Sequence, residues 1–112
     1  MWNVIIFIGL AIVVFAASDW IQKNRRSPEH LNRLLQQAAQ QFDVGNYYSA
    51  NNICDQILEK SQDWRAYQIK GMSYFRLGQR ANALENAKKS LILEPNPVTN
   101  ELSYMIVTSL EG

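Results

Sequence analysis

The sequence predicts an all-α protein: an apolar N-terminal helix followed by a short α-solenoid of about two and a half helix pairs. Three observations carry this expectation. A charge-free stretch opens the chain, apolar residues then recur at steps of three and four with no segment alternating at period two, and Gly78 follows Gly45 at a spacing of 33 residues.

From Met1 to Ser18 there is no charged side chain, and the run from Val4 to Ala17 consists only of Val, Ile, Phe, Leu, Ala and Gly. At about 1.5 Å per residue, a helix from Trp2 to Trp20 is roughly 27 Å long, close to the hydrocarbon thickness of a bilayer. Trp2 and Trp20 would stand at the two interfaces, and Gly9 and Ala16 near one face would permit close packing without forming a GxxxG pattern. A cleaved signal peptide fits less well, because Met1-Trp2-Asn3 offers no basic n-region. The stretch 1–21 is therefore read as a transmembrane anchor and 22–27 as a basic juxtamembrane linker. Lys23, Arg25 and Arg26 follow the apolar run, so the positive-inside rule sets the N-terminus out and the rest of the chain in the cytoplasm, with a bacterial inner membrane as the expected location.

Ser27-Pro28-Glu29 reads as a helix start, with a hydroxyl cap, a proline in the first turn and an acid at the positive dipole end. Leu31, Leu34, Leu35, Ala38 and Phe42 make one helical face, and Gly45-Asn46 ends it. Tyr47, Ala50, Cys54, Ile57 and Leu58 make a second stripe, interrupted between Lys60 and Asp63. Trp64, Tyr67, Gly71, Tyr74 and Phe75 line a third helix ending at Gly78. Ala83, Leu84, Ala87 and Leu91 line a fourth ending before Pro95, and a fifth runs from about Val98 through Leu102, Met105, Ile106 and Leu110. Connections this short force antiparallel neighbours.

The pairs repeat. Ala50 aligns with Ala83 and Cys54 with Ala87, at the spacing that separates Gly45 from Gly78. Tyr67-x2-Lys70-Gly71-x2-Tyr74, then Ala83-x3-Ala87, then Pro95 resembles the tetratricopeptide repeat (TPR), whose pattern is W-x2-L-G-x2-Y, A-x3-F and P. The run Ser90-Leu91-Ile92-Leu93-Glu94-Pro95 looks like the family's usual end of a repeat. An earlier unit is more degenerate: Leu34, Gln37, Ala38 and Gln41 stand at first-helix positions, and Gln62 replaces the proline. The resemblance covers residues 28–112, divided as repeat 1 at 28–61, repeat 2 at 63–96 and a capping helix at 97–112. Small residues at 38, 50, 71 and 83 have a physical reason as well, since helices of a pair cross closely there.

The resemblance implies a concave groove lined by the first helix of each pair. Carried over position by position, the groove residues are Asn32, Leu35, Ala39, Phe42 and Asp43 in the first unit, and Arg65, Gln68, Met72, Phe75 and Arg76 in the second. Leu35 and Ala39 occupy positions where the family's carboxylate clamp needs Lys and Asn, so capture of an acidic chaperone tail is not implied. An apolar peptide or partner helix suits the groove better.

Eleven Lys plus Arg against ten Asp plus Glu give a net charge of +1, without the basic excess of a nucleic-acid binder. Cys54 is the only cysteine and His30 the only histidine, so no disulfide, metal cluster or nucleophile with a paired base is expected. No phosphate-cradling glycine loop occurs. The expectation is a membrane-anchored protein-interaction adaptor, an accessory or assembly subunit of a larger membrane complex. No catalytic residues, cofactor, metal, nucleic acid or small-molecule substrate are expected, and homo-oligomerisation is left open. Rival readings are a targeting-peptide receptor resembling the mitochondrial outer-membrane import receptor and a periplasm-facing chaperone.

Overall fold

The computed structural model describes residues 28–111, and every regular element among them is an α-helix. Five follow in order: α1 Pro28–Asp43, α2 Tyr47–Leu58, α3 Trp64–Arg76, α4 Arg80–Leu93 and α5 Glu101–Glu111. The span is all-α, as the period of its apolar residues requires.

Two turns of identical construction explain the pairing. Gly45 N–H donates to the Phe42 carbonyl at 3.0 Å and Asn46 N–H to the Gln41 carbonyl at 2.8 Å. At the next turn Gly78 N–H donates to Phe75 at 3.2 Å and Gln79 N–H to Tyr74 at 2.9 Å. Both are Schellman closures, which place the residue after the helix in the left-handed region. Gly45 has φ +86° and Gly78 φ +77°, and a Cβ at either would meet nothing within 4 Å. Glycine is needed at these two places for its backbone conformation and not for space.

Gly71 is there for the opposite reason. A Cβ added to it would lie 3.3 Å from the Ala87 nitrogen, 3.4 Å from the Ala83 oxygen and 3.5 Å from Ile106 Cδ1. The backbones of α3 and α4 therefore cross at a distance that no side chain separates. Ala83 and Ala87 are fully buried beneath this crossing, and Ile106 of α5 closes the second core cluster with Met72, Tyr74, Val107 and Leu110 packed around it. The first cluster joins Leu34, Leu35 and Ala38 of α1 to Cys54 and Ile57 of α2 and Ala66 of α3.

Contacts between elements define two layers. Helix α3 touches both α1 and α5, whereas α2 and α4 each pack against their own partners and not against one another. Thus α1, α3 and α5 stand side by side in one layer, and α2 and α4 back them. Met105 occupies in α5 the repeat position that Gly71 holds in α3, and it is 50% exposed. A methionine there prevents a further helix from crossing α5 as closely as α4 crosses α3.

Two expectations change. The last helix starts at Glu101 and not near Val98. Asn96 Oδ1 accepts from Val98 N–H at 2.9 Å and the Asn96 carbonyl from Asn100 N–H at 2.8 Å, so residues 97–100 form a hydrogen-bonded turn ahead of the helix. The single-pass location in a bacterial inner membrane, with a cytoplasmic repeat domain, is also corrected: among the described residues no helix is long and apolar enough to cross a membrane. The longest, α1, has 16 residues and one polar face, and at about 1.5 Å per residue it falls short of the hydrocarbon core. The anchor residues Trp2, Gly9, Ala16 and Trp20 and the charges Lys23, Arg25 and Arg26 lie outside the described residues.

Candidate functional site

A groove of about 470 Å³ opens along the α1, α3 and α5 layer. From α1 it is lined by Asn32, Leu35, Ala39, Phe42 and Asp43, from α3 by Trp64, Arg65, Gln68, Ile69 and Met72, and from α5 by Leu102. On α1 the lining residues recur at steps of three and four, so a single face of the helix forms the wall. Phe42 is held by the ring of Tyr47, with centroids 5.4 Å apart and planes inclined at 58°. Leu35 belongs both to this wall and to the first core cluster, which ties the shape of the groove to the packing beneath it.

Eight of the ten residues expected at a groove surround this one. Phe75 and Arg76 do not. Phe75 is 44% exposed, and the residue one repeat further on is Ser109, small and exposed, which raises no opposing wall. Trp64, Ile69 and Leu102 were missed. Leu102 stands 34 residues after Gln68, at the same repeat position, so extending the spacing into the capping helix would have found it.

The polar groups of the groove are not equivalent. Arg65 gives its Nε to Asp63 Oδ1 at 3.1 Å and a terminal nitrogen to Asp63 Oδ2 at 2.8 Å, so its charge is matched by a buried carboxylate. The same Asp63 caps α3, accepting from Arg65 N–H at 2.8 Å. That cap was legible as an aspartate directly before an apolar-periodic run, and sequence reasoning passed over it. Asp43, at the other helix, takes part in no ion pair among the described residues.

Burial pushes the Asp63 carboxyl up, but the Arg65 side chain, the Arg65 N–H and charge, and the Ala66 N–H together outweigh it and hold the group below its ordinary value. A depressed folded pKa contributes stability that is present above the unfolded value, near 4, and is lost as pH falls through the lower folded value. Unfolding of the full chain in urea, followed from about pH 5 to pH 2, is expected to weaken more steeply than that of Asp63→Asn. Parallel profiles would show that the carboxylate contributes nothing.

Cys54 is fully buried, and desolvation pushes its thiol up to about 12 despite the opposing charge of Lys70. Such a thiol is neither a nucleophile nor a metal ligand at neutral pH. Among the described residues no group of three or more His, Cys, Asp or Glu could hold a metal ion. A second apolar surface lies on the outer side of α5, where Tyr104 and Met105 are about half exposed.

Comparison with known proteins brings no match from protein-family profiles, from curated proteins or from solved structures.

Proposed function

We propose that this chain is a protein-interaction adaptor of the tetratricopeptide-repeat type, an accessory or assembly subunit of a larger protein complex, with the groove across α1, α3 and α5 as its contact surface and no catalytic step of its own. One observation carries the reading: residues on two helices 33 positions apart in the repeat converge on a single apolar groove with few, individually placed polar groups. Concave, mostly apolar sites with a small number of oriented polar side chains are where segments of other proteins dock. The twin Schellman turns and the close crossing at Gly71 support a short solenoid of stacked helix pairs.

The test is photo-crosslinking in the host cell from a reactive amino acid placed in the full chain at Met72, in the groove, or at Gln56, exposed on α2. The same partner should be captured from Met72 and not from Gln56, and Ala39→Trp, which fills the groove, should reduce that capture at least about tenfold, a loss of the size expected when a central contact is blocked. Equal capture from Gln56, or capture indifferent to Ala39→Trp, would move the interface off this surface.

A further inference from the structure

We propose that the groove takes its partner as an extended peptide whose backbone is read by Gln68, an amide that Asn100 holds in one orientation. This rests on the groove reading above and adds the ligand's conformation to it.

Asn100 is fully buried between α3, α4 and the start of α5. Its Nδ2 donates to the Glu94 carbonyl oxygen at 3.1 Å and to Ser90 Oγ at 2.8 Å. Ser90 in turn donates its hydroxyl hydrogen to the Trp64 carbonyl oxygen at 2.8 Å, which leaves only its lone pairs for Asn100. Both ends of this chain are main-chain carbonyls, which can only accept, so the amide of Asn100 has a single permitted orientation. Its Oδ1 is thereby turned to α3, where Gln68 Nε2 lies at 3.1 Å and must be the donor.

Gln68 spends one N–H on Asn100 and retains a second N–H and its Oε1, which has no hydrogen-bond partner among the described residues. It sits half-buried on the α3 wall, between Arg65 and Met72. A fixed acceptor next to a donor complements the N–H and C=O of an extended main chain. A helical ligand has already paired those groups internally and cannot use them. Charge adds a second requirement. Arg65 is balanced by Asp63, so Asp43 leaves the groove with one uncompensated negative charge, which suits a Lys or Arg beside the apolar residues of the occupant.

The experiment selects binders from a displayed nonapeptide library on the full chain, then measures each selected peptide by fluorescence anisotropy with its backbone nitrogens methylated one at a time. At one position methylation should weaken binding about fivefold, the worth of a single hydrogen bond, and Gln68→Met should abolish that difference. Asn100→Ala, a change in a positioning residue, should erase the same ratio; a merely structural role would lower both affinities together. A flat methylation scan overturns the proposal. So does a penalty at every position that survives Gln68→Met, which marks a helical occupant. Peptides indifferent to Ala39→Trp would instead refute the groove itself.

Discussion

Gly71→Leu is expected to abolish the cooperative unfolding transition of the second helical pair. The glycine faces main-chain atoms of α4 at 3.3 and 3.4 Å from where a Cβ would stand, and backbone cannot rotate aside as a side chain end can. Accommodating three further carbon atoms requires α3 and α4 to part, which uncovers Ala83 and Ala87 and lifts Ile106 of α5 from its seat. Overpacking a close crossing costs about 1–3 kcal/mol where neighbours can yield, and more where they cannot. For a domain this small, whose whole stability is on the order of 5–10 kcal/mol, such a loss is a large fraction. The companion change Gly71→Ala separates sterics from propensity. Its single methyl needs a shift of a few tenths of an ångström, offset by about 1 kcal/mol of helix propensity, so its urea midpoint should lie near that of the parent. Far-UV circular dichroism of the full chain in urea reads both, and a parent-like midpoint for the leucine variant would refute the close crossing.

The second large effect belongs to Ile57, among the largest of the fully buried side chains. It fills the junction of α1, α2 and α3 with Leu34, Leu35, Ala38, Cys54 and Ala66. Ile57→Ala should destabilise by about 2–5 kcal/mol, the removed methylenes and the cavity acting together. Because α2 packs only against α1 and α3 among the described helices, the damage should stay local. Hydrogen exchange should show the amides of α1 and α2 losing protection while those of α5 keep theirs. Equal loss in α5 would show that the five helices form one cooperative block. Leu35 links this core to the groove, so the same variant should also weaken whatever the groove binds.

Most of the described architecture is a property of near neighbours in the chain and was therefore legible. A stripe such as Leu34, Leu35 and Ala38 is buried because its spacing allows no other face inward, and Gly45 and Gly78 end helices because few residues besides glycine tolerate their φ. Position by position carry-over also brought together most of the groove wall, since the repeat spacing maps one helix face onto the next. It failed at Phe75 and Arg76, where the neighbouring helix offers a serine, and it overlooked Leu102, whose helix had been read as a cap alone.

The sequence by itself determined that residues 28–111 form helices in pairs, where those pairs turn, and which faces are apolar. Only the tertiary structure decided the state of the polar groups. Arg65 is spent on Asp63, Asp43 is left without an ion pair among the described residues, and Asn100 reaches across 32 positions to hold Gln68. The physical reason is range. Helical period and turn chemistry act over four or five residues, whereas the pairing of a buried amide or carboxylate depends on which distant carbonyl, hydroxyl or guanidinium the packing of three helices brings within about 3 Å.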